Sequence, residues 1–283
     1  MSNAERAPQA PASIDLTRPS SARVYDWYLG GRTNYAIDRE FGHRAVQELP
    51  VIKPLAVSNR RWLGRVVRAA LDAGIEQFWD LGSGVPTAGN VHEIVAGSGA
   101  EDPRVLYVDY ERVAVAHCQM ILEEQEVGWA DVVQEDLRRP LKILEHDAAQ
   151  VLDFDRPICV IMASVLHFIG GGDGIPELLS RYRTKLPAGS WLAISHITTD
   201  DAPPGPAAQI TSLAEAYKDT QNPAWLRDRA EFSSWFDGLE LVDPGIVHAT
   251  DWRPEPLPTK EERADEAKVR PLYWAGVGRL PQG

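Results

Sequence analysis

The chain has 283 residues, 44% of them apolar, with 29 basic and 41 acidic side chains and a formal net charge of −12. That length allows one large α/β domain or two small ones with a sizeable core. The acidic balance argues against nucleic acid or an anionic membrane as the main partner. No apolar run approaches the ~18 residues of a membrane span, and the first 17 residues, rich in Ala and Pro, lack the basic-then-apolar pattern of a secretory leader. Cys118 and Cys159 both sit in apolar segments and read as buried thiols of a reducing, cytoplasmic compartment.

The region from 20 to 73 reads as helical. Ser20 or Ser21 caps a short helix carrying Arg23, Tyr25, Asp26 and Tyr28, and Gly30-Gly31 ends it. A second helix runs from Asp38 to about Leu49, followed by a connection punctuated by Pro50 and Pro54. Leu63, Val66, Val67, Ala70 and Leu71 form the stripe of a third helix. Arg60, Arg61, Arg65 and Arg68 fall mainly on its solvated side, with Arg60 at its start, in reach of a carboxylate.

After Gly74 the rhythm changes. Strands are expected at 77–81, 104–109, 131–134, 158–163 and 191–195, with helices at 87–96, 113–122 and 177–186. Such alternation implies a parallel sheet covered on both faces, and the uniformly apolar 158–163 run suits a doubly buried strand. A proline-rich loop at 200–206 precedes helices at 210–218 and 230–236. Segments 239–242, 248–252 and 271–279 are candidate final strands, and 260–268 a connector or surface helix.

Three acids mark three successive strand ends. Asp80 precedes the turn Gly82-Ser83-Gly84, Asp109 ends the second strand, and Asp136 follows the third. Glycines there admit backbone angles that other residues resist and let a ligand approach the main chain. In an open parallel sheet, ligands bind outside the carboxyl ends of the strands. A carboxylate at the second of those ends can take both ribose hydroxyls of an adenosine. Asp136 and the Leu137 amide suit an adenine, and Asp80 suits the turn or a cationic ligand group. A dinucleotide fold calls for a third glycine where Thr87 stands, and Pro86 removes an amide that a pyrophosphate would use. An adenosine without phosphates fits better.

Asp80-Leu81-Gly82-Ser83-Gly84, Asp109 and Glu135-Asp136-Leu137 resemble the class I S-adenosylmethionine-dependent methyltransferases. Ala22 to Gly31, Pro86 to Glu93, Arg104 to Asp109, Val165-Leu166-His167-Phe168 and the segment from Gly189 to His196 are similar to one subfamily. It is the actinobacterial S-adenosyl methyltransferases long labelled a domain of unknown function. The likeness covers roughly residues 20 to 280. It departs at Tyr110-Glu111-Arg112, where Asn-Asp-Pro is expected after the acid; Tyr110 then lies along the adenine or ribose edge.

The resemblance implies a doubly wound, mostly parallel seven-stranded Rossmann-like sheet with its last strand antiparallel, under a helical N-terminal cap. The division is a tail at 1–18, a cap at 19–74 and a catalytic domain at 75–283. It implies S-adenosylmethionine as cofactor, with S-adenosylhomocysteine as product. Asp80, Gly82, Ser83, Gly84, Thr87, Asn90, Asp109, Tyr110, Asp136, Leu137 and Ser164 would hold it. Tyr28, Trp27, Asn34 and His167 would face the acceptor. His167, Tyr25 and His196 are the candidate proton acceptors, the histidines because each sits just past a central strand. The acceptor is expected to be a small molecule, an aromatic or indole-like secondary metabolite, given nine tryptophans. No metal is expected: Asp200-Asp201, the one acidic pair near a strand end, lies in the proline-rich loop. No Pro-Pro-Tyr stretch of a DNA methyltransferase follows the fourth strand. The assembly is expected to be a monomer or homodimer. A non-catalytic S-adenosylmethionine-binding regulator and a nicotinamide oxidoreductase are the alternative readings.

Overall fold

A computed structural model describes residues 15–87, 89–170 and 174–282; most of the expected N-terminal tail and Ala88 lie outside them. Helices α1 (Ser21–Tyr28), α2 (Ala36–Glu48) and α3 (Ile52–Asp72) come first. The sheet begins with β1 (Gln77–Leu81), followed by α4 (Val91–Ala96), β2 (Arg104–Asp109), α5 (Arg112–Glu124), β3 (Ala130–Gln134) and α6 (Pro140–Leu144). Then come β4 (Ile158–Ala163), α7 (Ile175–Arg183), β5 (Trp191–Ile197), α8 (Pro204–Tyr217) and α9 (Arg229–Ser234). The chain closes with β6 (Glu240–Leu241), β7 (Val247–His248), α10 (Lys260–Val269) and β8 (Tyr273–Arg279).

The strand order is β3-β2-β1-β4-β5-β8-β6. Strands β1 to β5 are mutually parallel, and β8 runs antiparallel to β5 and β6. The two-residue β7 also pairs with β8, so an eighth strand is added to the seven expected. The order reverses between β1 and β4, the switch point at which open α/β sheets take their ligands.

Alternate residues of the central strands feed two cores. Cys159 and Ile161 of β4 face one core with Phe78, while Ile158, Val160 and Met162 face the other with Trp79 and Leu81. This two-sided burial is why β4 reads as an unbroken apolar run. The first core lies under α1, α2 and α3, whose stripe residues Trp62, Leu63, Val66 and Val67 are all buried in it.

Several boundaries differ from expectation for local reasons. Pro54 lies in the first turn of α3, where its missing amide breaks no helical bond. Arg60 therefore sits in mid-helix, and Arg65 is buried, donating to the Trp252 and Ala249 carbonyls at 2.8 and 2.6 Å. The helix expected at 87–96 starts only at Val91. Gly89 has φ +63°, and the Asn90 amide is taken by Glu93 at 2.9 Å in a capping box. Two of the three prolines at 200–206 open α8 instead of prolonging a loop. Only Glu240–Leu241 and Val247–His248 pair as strands in the penultimate region, and 249–251 form a 3-10 turn.

Candidate active site

A cavity of about 640 Å³ opens over the carboxyl ends of the strands, within the range of small-molecule sites. The chain supplies it from both sides of the switch point. From β1, β2 and β3 come Asp80, Gly82, Ser83, Gly84, Asp109, Tyr110, Asp136 and Leu137. From β4, β5 and β8 come Ser164, His167, Ile197 and Tyr273, and the α1–α3 layer adds Tyr25, Tyr28, Asn59 and Arg60.

The β1 turn is shaped by its glycines. Gly82 and Gly84 have φ of +72° and +67°. A Cβ built on Gly82 would lie 2.3 Å from Val165 Cγ2, whereas one on Gly84 meets nothing within 4 Å. One glycine is required by packing against the protein, the other stands open to the cavity. The amides of Gly82 and Ser83 donate to the Val108 carbonyl at 2.8 and 3.1 Å, tying the turn to β2. Asp109 completes the tie: Oδ2 accepts from Gly84 N–H and Oδ1 from Glu111 N–H, both at 2.8 Å.

The acids differ in charge state. Burial pushes the Asp80 carboxyl up to about 7 against the pull of Arg60, with Asp109 adding to the rise. Burial lifts Asp109 to about 6, tempered by the Glu111 and Gly84 amides. Partial burial would raise Asp136, but the bonds from Arg138 more than offset it and hold it low.

On the other side, a chain of hydrogen bonds links the sheet to α3 and α1. Ser164 N–H donates to Ser195 Oγ at 3.0 Å, and Ser195 Oγ donates to Asn59 Oδ1 at 2.6 Å. Asn59 Nδ2 donates to the Tyr25 hydroxyl at 3.1 Å, and Tyr25 donates to the Ala56 carbonyl at 3.0 Å. Ser164 holds φ +58°, an angle costly for a residue with a Cβ; its hydroxyl is bonded to that of Tyr273. The Tyr28 and Tyr217 hydroxyls are 3.4 Å apart.

His167 lines the cavity and His196 does not. The rings cross edge to face at 5.5 Å. His196 Nδ1 is 2.6 Å from the Ile197 carbonyl and therefore carries the proton, which turns the Nε2 lone pair to Arg227 Nη1 at 3.4 Å. No lone pair is left for a substrate. Burial, then His167 and Arg227, drive its pKa well below the ordinary value. Burial and Arg227 push His167 down to about 3, so both imidazoles are neutral near pH 7.

Besides His196, four residues assigned from sequence fall outside the cavity lining. Trp27 packs between Lys53, whose Nζ lies 3.8 Å from the ring centre, and His43 at 4.8 Å. Asn34 Nδ2 and the Thr87 hydroxyl both donate to Asp26, at 2.7 and 2.9 Å, knitting the α1–α2 loop to the β1–α4 turn. Asn90 starts α4 and accepts from Arg60 at 2.7 Å. The tryptophans serve the cores: Trp62, Trp79, Trp235 and Trp252 are fully buried, and of the nine only Trp225 lines the cavity. Its aromatic walls are Tyr25, Tyr28, Phe168, Tyr217 and Tyr273 instead. Asn59, Glu111, Tyr217 and Tyr273 carry no motif and become visible only through packing. The alternation of Tyr273, Ala275 and Val277 was the one sequence signal for Tyr273, and it needs β8 placed beside β5 to be read.

The residues present fit an S-adenosyl ligand. A carboxylate has about four acceptor sites, so Asp109 keeps capacity for two hydroxyls beyond its two amides. Gly84 leaves bare main chain facing the space beside it. A Rossmann-like sheet with this turn, these acids and no phosphate loop defines a class I S-adenosylmethionine-dependent methyltransferase. A profile of the S-adenosyl methyltransferase family matches residues 7–281, and the chain belongs to that family. It is similar to a solved protein of Thermobifida fusca assigned as a methyltransferase, at 33% identity, TM-score 0.84, covering 96% of this chain and 98% of that one. It is equally similar to a DUF574 family protein of Streptomyces avermitilis, at 33% identity and TM-score 0.84 over 93% and 98% of the two chains. An O-methyltransferase family protein of Burkholderia thailandensis shares the fold at 14% identity, TM-score 0.53, over 86% of this chain and 62% of that one. No curated protein matches the chain significantly. The enzyme is thus an S-adenosylmethionine-dependent methyltransferase. Among the described residues no helix is long and apolar enough to cross a membrane.

Proposed function

We propose that this methyltransferase acts on an uncharged, aromatic small molecule held between the α1–α3 layer and the ends of β4, β5 and β8. The observation that carries the reading is the division of one cavity about β1. The ends of β1, β2 and β3 bring acids and bare main chain, with Tyr110 among them, while the ends of β4, β5 and β8 with α1 and α8 bring Tyr25, Tyr28, Tyr217, Tyr273 and aliphatic side chains.

On the first side Asp109 takes the ribose, Asp136 and Leu137 the adenine, and Tyr110 flanks it. Leu137 is fixed there because its carbonyl accepts from Tyr182 at 2.6 Å. Asp80 faces the cationic end of the cofactor. When bound, S-adenosylmethionine supplies an electrophilic methyl group on a sulfonium.

The protein's part is orientation, which can supply ~7–11 kcal/mol of such a barrier. Tyr25 is a positioning group: its hydroxyl proton is committed to Ala56, and burial raises its pKa. Aromatic faces near the cationic methyl add ~0.5–2 kcal/mol. His167 Nδ1 is buried with no partner among the described residues. It serves as a neutral hydrogen-bonding group that aims the nucleophile, since an imidazole titrating at about 3 is a feeble base near pH 7.

The experiment is calorimetry with S-adenosylhomocysteine, followed by labelled-methyl transfer from S-adenosylmethionine to a panel of uncharged phenols, indoles and aliphatic acids. Micromolar cofactor binding with transfer confined to the aromatic neutral compounds is expected. Transfer to the aliphatic acids alone overturns the acceptor reading.

A further inference from the structure

Arg23 of α1 is 0% exposed, although it is an arginine in a short helix. Its Nε donates to Asp38 of α2 at 2.7 Å, and its Nη1 donates to Glu111 at 2.9 Å. Nη2 donates to the Asp15 and Arg18 carbonyls, each at 3.4 Å. Asp38 is spent on the same layer, taking the Ser20 amide at 3.0 Å and the Tyr35 amide at 2.9 Å.

Glu111 belongs to the other layer. Its second oxygen accepts from Ala114 N–H at 2.9 Å, capping α5. Its own amide donates to Asp109. One residue thus holds the ribose-side acid through its backbone and α1 through its carboxylate. Buried ion pairs seldom stabilise a fold more than apolar groups of the same size, so stability alone does not account for one arginine and two carboxylates here. Two residues beyond Arg23 on α1 stands Tyr25, and five beyond stands Tyr28, both on the acceptor side of the cavity.

We propose that Arg23 is a positioning residue that locks the α1–α2 layer to the β2–α5 turn through Glu111, so that presenting Asp109 to the cofactor and setting Tyr25 and Tyr28 over the acceptor are one event. The inference rests on the reading of Asp109 as the ribose acid. It makes cofactor binding tighten α1, a helix that shares no strand with Asp109.

The test pairs Arg23→Lys, which keeps the charge and loses the fork, with Arg23→Met, which keeps the bulk. S-adenosylhomocysteine affinity is measured by calorimetry, and hydrogen exchange of residues 21–28 is followed with and without it. In the wild type, S-adenosylhomocysteine slows exchange in 21–28. In folded Arg23→Lys the dissociation constant rises about tenfold and that protection disappears. Affinity within twofold of wild type in a folded variant, or no protection of 21–28 in the wild type, overturns the proposal. Should both variants fail to fold, the wild-type exchange experiment decides alone. Wild-type protein that does not bind S-adenosylhomocysteine refutes the functional reading itself; wild-type binding that the variants share refutes only the role of Arg23.

Discussion

Asp109 Oδ2 accepts the Gly84 amide at 2.8 Å, so the acid that ends β2 also pins the turn that ends β1. On the proposed reading, its replacement removes a ribose acceptor and loosens the turn together. Asp109→Ala is expected to weaken S-adenosylhomocysteine binding at least ~10-fold, since each charge-assisted bond contributes ~1.5–3 kcal/mol. Calorimetry on the folded variant checks this, and unchanged affinity removes Asp109 from the site.

The two glycines of the turn are expected to fail differently. A methyl on Gly82 collides with Val165, and its positive φ adds ~1–2 kcal/mol of strain. Gly82→Ala should lower the melting temperature, and Val165→Ala should partly restore it. Gly84→Ala carries the same backbone penalty but points its methyl at open space, so Val165→Ala gives it no relief and cofactor affinity falls more than its backbone strain implies. Thermal melts and calorimetry on the four variants separate the cases.

Asp80 and Asp109 carry pKa values raised to about 7 and about 6 by burial. Between the ordinary carboxylate range near 4 and those values, the folded protein holds protons that the unfolded chain has released. Their contribution to the stability of the ligand-free protein is therefore full at low pH and lost as pH rises towards about 7. A cationic ligand prefers the ionised acids, so its affinity should rise over the same interval and binding near pH 6.5 should release protons. Calorimetry in buffers of different ionisation enthalpy measures the release. Asp80→Asn should diminish it.

His196 and His167 are neighbours with separate duties. His196 packs against Trp235 at 5.3 Å and gives Arg227 its acceptor. His196→Ala is expected to cost about 2 kcal/mol of stability, in the range for an opened core site. His167→Ala should leave cofactor affinity within about threefold and lower transfer to the acceptor. Both imidazoles have depressed pKa values. The unfolded chain takes up their protons first as pH falls below about 6.5, so their contribution to stability is present above that value and declines below it, for His167 towards about pH 3. Urea titrations of the two variants across pH 4–7 should show a shallower acid loss than the wild type.

The sheet and its ligand turn were legible because their signals are local. Apolar runs ending in Asp80 and Asp109, and glycines required by sterics, announce themselves within a few residues. The surroundings of His196 and Tyr25 were not, because they turn on partners far along the chain. Burial keeps His196 neutral and its Nε2 is turned to Arg227, 31 residues away, and Tyr25 is committed through α3. Trp27 illustrates the same limit: an aromatic residue beside two tyrosines reads as a ligand wall until helix geometry turns it towards Lys53 and His43. Arg60 was misplaced for a subtler reason, since a proline in the first turn of a helix looks the same in sequence as a proline that ends one.

The bond between Ser164 and Tyr273 joins residues 109 positions apart. On a ribosome adding roughly 5–20 residues per second, the strands that bear Asp80, Asp109 and Asp136 emerge several seconds before β8 does. During that interval a nascent chain already carries Asp80, Asp109 and Asp136 while Ser164 lacks its partner on β8, and the aliphatic faces of β5 and α8 stand uncovered. Newly made enzyme is then most exposed to aggregation and to chaperone capture just before its last strand inserts.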